Sequence, residues 1–207
     1  MNTVEKFVGL VNAAHGNAIA KGWWEKERTL GELVALIHTE GSEAMEDFRK
    51  GHETTDVWYE YNDARKGEFI SDVPQLEVCT NNFTGAMEQA LGKPCGIPSE
   101  LADIVIRVFD LVGKHEVVEP FANFLIQLFN NNVDYAIEHD RSFGDNMGWL
   151  HASISKILTD STVEYAAETV YNTYKLAEYS GIDLDAIITE KMAYNTRREY
   201  RHGGKVL

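Results

Sequence analysis

Two pairs of acidic residues, each pair three positions apart, are the groups in this chain best suited to metal chemistry: Glu40 with Glu43, and Glu100 with Asp103. Residues three apart on a helix share one face, so both carboxylates of a pair can reach the same ion. Four hard oxygen donors suit Mg²⁺, or Mn²⁺ in its place, and leave further positions for phosphate oxygens and water. The spacing alone is weak evidence, because 33 acidic residues in 207 produce roughly five such pairs by chance.

The segments that carry the two pairs strengthen the case. The first predicts a helix over about 29–50, where Thr29 and Glu32 form a capping-box pattern. The second follows Pro98, which suits the first turn of a helix, and predicts a helix over 100–112. Both segments carry an apolar stripe at three- and four-residue spacing. Small residues beside the acids allow close helix approach: Gly41, Ser42, Ala44 and Ala102.

The rest of the chain predicts one all-α domain over residues 1–207, a helical bundle. Residues 51–97 carry many glycine, proline and asparagine residues and predict an ordered excursion with short helical or extended pieces. An alternating strand pattern is almost absent. Further helices are predicted at 4–21, 119–139, 145–158, 162–179 and 183–194.

Composition narrows the classes of partner. With 33 acidic against 19 basic residues the net charge is −14, which argues against binding of a nucleic-acid polymer but permits free, metal-complexed nucleotides. Charges interrupt the longest apolar runs, so we expect a cytoplasmic protein without a membrane partner. Cys79 and Cys95 lack a Cys-x-x-Cys spacing and are predicted to be free thiols.

Five segments, covering about half of the chain, resemble the all-α nucleoside triphosphate pyrophosphohydrolases, the superfamily of MazG, the dimeric dUTPases and the dCTP pyrophosphatases. The similarity is greatest to the MazG-like proteins of bacteria and their phages. The segments are Lys-Gly-Trp-Trp at 21–24, Ala-Leu-Ile-His-Thr-Glu-Gly-Ser-Glu-Ala-Met-Glu at 35–46, Gly-Lys-Pro-Cys-Gly-Ile-Pro at 92–98, Ser-Glu-Leu-Ala-Asp-Ile-Val-Ile-Arg at 99–107, and the tail at 190–205.

The resemblance implies that Glu40, Glu43, Glu100 and Asp103 hold the metal. It also implies that a metal-activated water attacks a phosphorus of a nucleoside triphosphate and that pyrophosphate is released. It does not identify the nucleotide. Homodimers or higher homo-oligomers are expected, because the resembling families assemble.

The tail is the most basic part of the chain. Lys191, Asn195 and Arg198 lie at i, i+4 and i+7, so one helical face can neutralise a triphosphate through charge-assisted hydrogen bonds. A solvated chain end is the alternative. Four further tail residues are candidate phosphate contacts: Tyr194, Arg201, His202 and Lys205.

Other candidate substrate contacts lie near the acidic pairs. Lys21 precedes two indoles, and either Trp23 or Trp24 can stack on a base while the other belongs to the core. Arg107, one turn beyond Asp103, can bind a phosphate or pair with an acid of its own helix, Asp103 or Asp110. His38 is expected to pack rather than bind the metal, and Glu46 is a reserve acidic group.

The second half of the chain carries a possible degenerate repeat of the first. When 150–156 is aligned with 37–43, Ser153 and Lys156 replace Glu40 and Glu43. Under a 64-residue shift of the second helix, Ala167 replaces Asp103. Such a half has lost its metal ligands and would serve as scaffold. The substitutions keep open two alternatives to an enzyme: an inactive nucleotide-binding regulator and a helical interaction protein.

Overall fold

A computed structural model of the chain describes residues 3–63, 68–70, 92–132, 136–159 and 162–200, with the backbone alone for 61–63 and 68–70. Within these ranges the chain forms a bundle of seven helices with one small sheet, so the predicted all-α bundle is confirmed. The helices are α1 (Val4–Ala20), α2 (Leu30–Arg49), α3 (Ile97–Lys114), α4 (Val118–Asn131), α5 (Phe143–Lys156), α6 (Thr162–Tyr179) and α7 (Leu184–Arg197).

The predicted start of α2 is confirmed. The Thr29 hydroxyl accepts a hydrogen bond from the Glu32 backbone N–H at 3.2 Å, and the Glu32 carboxylate accepts one from the Thr29 N–H at 2.7 Å. These bonds satisfy two of the amide groups that a helix N-terminus leaves open. The cap therefore fixes where α2 begins, and Glu40 lies on the buried face of this helix.

Helix α3 is the centre of the bundle. It packs against α1, α2, α6 and α7, and twelve of its residues are buried. It begins at Ile97, three residues before the predicted start, after Gly96 at φ +104°. A side chain at Gly96 would collide with the Asp56 carbonyl, so only glycine fits this entry to the helix. Pro98 occupies the first turn as predicted.

The strands are β1 (Trp58–Asp63), β2 (Glu68–Ile70) and β3 (Lys93–Cys95). They form an antiparallel sheet of order β2-β1-β3, with Trp58 opposite Cys95 and Glu60 opposite Lys93. Sequence periodicity does not predict this sheet, because its strands are short and β3 joins β1 from about thirty positions away. The sheet holds Pro94 and Lys93 against the start of α3.

Two other expectations differ in detail. The helix predicted over 119–139 ends at Asn131, because Asn132 adopts the left-handed conformation at φ 45°. Gly41 does make room for a neighbour, but that neighbour is the His151 ring on α5 rather than α3. No described helix combines the length and apolarity needed to cross a membrane.

The proposed repeat remains a prediction, and its residues occupy defined places. Helix α5 packs against α6, as α2 packs against α3. Ser153 is buried and accepts a hydrogen bond from the Asn172 side chain at 2.9 Å, and Ala167 is fully buried. A neutral hydrogen bond thus stands where the first half carries acids.

Candidate functional site

Three of the four predicted metal ligands meet between α2 and α3. One carboxylate oxygen from each of Glu40, Glu100 and Asp103 lies within 4.8 Å of the other two. Glu40 and Glu100 are 5% and 4% exposed. Buried carboxylates this close repel one another and lack solvating water, so such an arrangement requires a positive partner.

The three acids could hold a metal ion, and the coordination of Mg²⁺ defines the spacing that its ligands would need. At a metal–oxygen distance of about 2.0–2.1 Å, neighbouring ligands of an octahedral ion lie roughly 3 Å apart and opposite ligands roughly 4 Å apart. These spacings are shorter than the 4.8 Å limit, so the three oxygens would move closer together on entering one shell. Glu43, the fourth predicted ligand, is exposed one turn further along α2 and borders the same cavity.

Two cations of the chain already touch the acidic cluster. The Arg107 Nε donates to Glu40 Oε1 at 2.5 Å, and the Lys191 Nζ lies 2.9 Å from Asp103 Oδ2. Lys191 also donates to the Pro94 carbonyl at 2.8 Å and is 1% exposed. Arg107 therefore pairs with Glu40 of α2, and not with Asp103 or Asp110 of its own helix.

Burial dominates the electrostatics of the cluster. It raises the pKa of Glu100 to about 8, although the Lys191 charge acts in the opposite direction. Burial likewise raises the pKa of Glu40 against the opposing charge of Arg107. A divalent cation would oppose this effect of burial and lower the pKa of both carboxyl groups, since it favours the ionised carboxylates.

The cluster forms one wall of a cavity that opens to solvent and encloses about 980 Å³ of empty space, its mouth included. Helices α1, α2, α3 and α7 all contribute to its lining. The lining residues are Ala14, Asn17, Ala18, Trp23, Arg28, Glu40, Glu43, Lys93, Glu100, Asp103, Ile106, Arg107, Asp110, Asn195 and Arg198.

The predicted basic face of α7 points at this cavity. Asn195 and Arg198 line it, while Lys191 lies deeper, in its ion pair with Asp103. The Arg198 guanidinium lies 5.6 Å from the Tyr194 ring centroid. Tyr194 is not itself one of the lining residues. Arg201, His202 and Lys205 lie outside the described residues.

The two indoles occupy different places in the structure. Trp23 lines the cavity, and the Arg28 guanidinium lies 5.2 Å from its ring centroid. Trp24 packs against the core, and its Nε1 donates to Asp110 Oδ1 at 2.9 Å. Lys21 donates to the Arg198 carbonyl at 2.5 Å and so ties the end of α1 to the end of α7.

Several lining residues were not predicted. The small residues Ala14 and Ala18 flank Asn17 on α1, and sequence periodicity assigned that stripe to the core. Arg28 follows the two indoles, and Lys93 sits in β3. The sequence suggested Asp110 only as a partner for Arg107. Its position seven residues after Asp103 could have indicated a place in the site, because this spacing puts both acids on one face of α3.

Asp110 belongs to a small hydrogen-bonded network. Its Oδ1 accepts from Trp24 Nε1 and lies 2.7 Å from His15 Nδ1. Burial raises the pKa of Asp110, against the opposing effect of these two hydrogen bonds. His15 and Trp24 also contact each other edge to face, with ring centroids 5.6 Å apart. The network connects α1, the indole segment and α3.

Three other candidates stand apart from the cavity. His38 stacks on His151 of α5, with ring centroids 5.1 Å apart, which agrees with the predicted packing role. Glu46 is exposed and pairs with Arg49 at 2.9 Å. Cys95 is a buried free thiol, as predicted, and burial raises its pKa to about 12. Cys79 lies outside the described residues.

No known protein family matches this chain, and no match was found among curated proteins or solved structures.

Proposed function

We propose that this chain hydrolyses a nucleoside triphosphate to the monophosphate and pyrophosphate, with Mg²⁺ or, in its place, Mn²⁺. One observation carries the proposal: three carboxylates capable of sharing an ion, two of them buried, lie in the wall of an open cavity that three arginines also line. Acidic residues at one wall and basic residues around it suit a phosphate chain that carries a metal ion. The resemblance to the all-α pyrophosphohydrolases supports the same reaction.

Glu40, Glu100 and Asp103 would hold the ion, with Glu43 as the fourth acid. Glu43 forms no hydrogen bond to any described residue, so its carboxylate is able to rotate toward the cluster. A bound divalent ion polarises phosphoryl oxygens and lowers the pKa of a coordinated water. The bond broken is the anhydride between the α- and β-phosphates, with the water oxygen taken up by the monophosphate.

The basic residues of the cavity would hold the triphosphate. Arg198 and Lys93 line the cavity and can donate charge-assisted hydrogen bonds to phosphate oxygens. Arg107 is 39% exposed, so its guanidinium has room to leave Glu40 for a phosphate. Trp23 would present its indole to the base. The free triphosphate is the proposed partner.

The direct test incubates the purified protein with the eight common nucleoside triphosphates plus dUTP, with Mg²⁺, Mn²⁺ or EDTA. We expect equal amounts of monophosphate and pyrophosphate from one or more nucleotides, and none with EDTA. Chromatography of the nucleotide products together with a pyrophosphate assay measures both. Orthophosphate release, or no product in any condition, would contradict the proposal.

Variants test the assignment of the acids. Glu43→Ala and Asp103→Asn should abolish pyrophosphate release and retain the helical circular dichroism, since asparagine still offers Lys191 an acceptor. Glu46→Ala is the matched control, because Glu46 lies three residues beyond Glu43 and pairs with Arg49 outside the cavity. Undiminished turnover in the first two variants would exclude these carboxylates from the reaction.

An inactive nucleotide-binding regulator is a second candidate. The observation that favours it is the pairing of Arg107 with Glu40 and of Lys191 with Asp103, which neutralises part of the acidic cluster without an ion. Nucleotide-dependent stabilisation without hydrolysis, in Mg²⁺ and in Mn²⁺, would select this candidate. A helical interaction protein would be favoured if neither metal nor nucleotide raised the melting temperature.

The resemblance also implies a homodimer or a higher homo-oligomer, and we propose such an assembly. Light scattering at several protein concentrations measures it, and a constant monomer mass would refute it.

A further inference from the structure

Asp110 places a second carboxylate in the cavity, away from the metal cluster. It lies seven residues after Asp103 on α3, so the two acids are about 10 Å apart along the helix at 1.5 Å per residue. Both line the cavity. The acidic cluster and Asp110 therefore lie at separate places along the α3 wall of the cavity.

The orientation of Asp110 is set by two donors on a single oxygen. Trp24 Nε1 and His15 Nδ1 both contact Oδ1, at 2.9 and 2.7 Å. Oδ2 receives no hydrogen bond from any described residue. The Asp110 side chain is 20% exposed and borders the cavity, so Oδ2 is the atom that remains for a ligand.

The surroundings of Asp110 suit a flat heterocycle. The Trp23 indole lines the same cavity and offers an aromatic face. The Asn17 side chain also lines it and bonds no described residue, so its amide offers one acceptor and two donors. An aromatic face, a carboxylate and an amide that line one cavity can stack on a base and hydrogen-bond that base.

We propose that Asp110, with Asn17 beside it, selects nucleotides whose base presents an exocyclic amino group. This inference rests on the proposed function, because it takes the triphosphate to lie at the metal end of the cavity. An ionised carboxylate is purely an acceptor, so it binds the amino group of cytosine or adenine. The carbonyl oxygen of uracil or hypoxanthine at that position faces Asp110 without a hydrogen between them.

Two nucleotide pairs exchange the exocyclic amino group for a carbonyl: dCTP with dUTP, and dATP with dITP. The neighbouring ring nitrogen changes with it, from an acceptor to an N–H donor. In the wild-type protein, kcat/KM should favour the amino member of the accepted pair by about tenfold or more, since one good base contact discriminates by about 1–3 kcal/mol. Asp110→Asn should lower that ratio at least tenfold, because its amide can donate to a carbonyl. Asp140→Asn is the matched control, because it makes the same chemical change at a fully exposed side chain and should leave the ratio unchanged.

The wild-type ratios decide the inference even if Asp110→Asn fails to fold. Equal rates for amino and keto members, or a keto preference, would overturn it while hydrolysis itself leaves the proposed function intact. Calorimetry that compares the binding of dCMP with dUMP, and of dAMP with dIMP, tests base selection independently of hydrolysis. An amino preference in binding without any hydrolysis would sink the enzymatic function and retain the base selection.

Discussion

The Lys191 ammonium lies 2.9 Å from Asp103 Oδ2 and 2.8 Å from the Pro94 carbonyl, with 1% of the lysine exposed. A lysine of α7 thus joins a metal-ligand candidate of α3 to the sheet strand that precedes that helix. Its burial beside two acceptors makes it a structural counter-charge as well as a candidate phosphate contact. Removing it would leave a partly buried carboxylate without its cation.

Lys191→Met should lower the free energy of unfolding by about 3–5 kcal/mol, the range for breaking a buried pair by removing one partner. Urea denaturation followed by circular dichroism measures the loss. Lys50→Met is the control, because Lys50 forms an exposed pair with Asp47 and should unfold within error of wild type. Equal midpoints for the two variants would mean that the Lys191 pair contributes little.

Glu100→Gln should flatten the pH dependence of stability in the metal-free protein. Glu100 ionises near 4.5 when unfolded, and burial raises its pKa to about 8 in the folded chain. The folded state therefore binds more protons between these values, and the free energy of unfolding falls as the pH rises from about 4.5 to about 8. Thermal melts in EDTA across this window should show a steeper fall for wild type.

Glu164→Gln provides the matched control for Glu100, since Glu164 stands at the equivalent place under the 64-residue shift and is exposed. Its melts should follow wild type. Mg²⁺ should raise the wild-type melting temperature more than that of Glu100→Gln. The assignment fails if Glu100→Gln keeps both the pH slope and the full Mg²⁺ response.

The stacked pair of His38 and His151 should make the bundle sensitive to mild acid. Burial lowers the pKa of both rings from 6.5, and for His38 the His151 charge adds to the effect. The unfolded chain then binds more protons below pH 6.5, so stability is full above that value and falls as the pH drops below it. His151→Gln should reduce this acid-side loss in denaturant titrations at pH 5 and 7.

His139→Gln is the comparison variant, because the His139 side chain is 76% exposed and lies away from α2. Its loss of stability between pH 7 and pH 5 should equal that of wild type. An unchanged loss in His151→Gln would show that other groups cause the acid sensitivity.

Gly113→Ala should destabilise the bundle although alanine is the better helix former. A Cβ at Gly113 would lie 2.5 Å from the His15 Cβ on α1, and that atom has little freedom to move. Overpacking of this kind costs about 1–3 kcal/mol. Gly9→Ala on α1 meets no atom within 4 Å and should instead stabilise by up to about 1 kcal/mol. Chemical denaturation distinguishes the two signs.

Much of the fold follows from local sequence. The capping box at Thr29, the first-turn Pro98 and the span of α6 each depend on residues a few positions apart, and the structure agrees with all three. Local sequence did not predict the end of α4 or the small sheet. The first depends on one left-handed asparagine, and the second pairs strands too short to carry a periodic signal.

The site divides along the same line. Spacing within α3 placed Glu100 and Asp103 on one helix face, because helical geometry relates residues three and four apart. Spacing within α2 paired Glu40 with Glu43, and of these two Glu40 alone joins the described cluster. Tertiary packing alone decided that Arg107 pairs with Glu40 across 67 positions, that Lys191 reaches Pro94 across 97, and that His15 meets Asp110 across 95. Such contacts depend on how helices rotate and cross, and no local pattern encodes that.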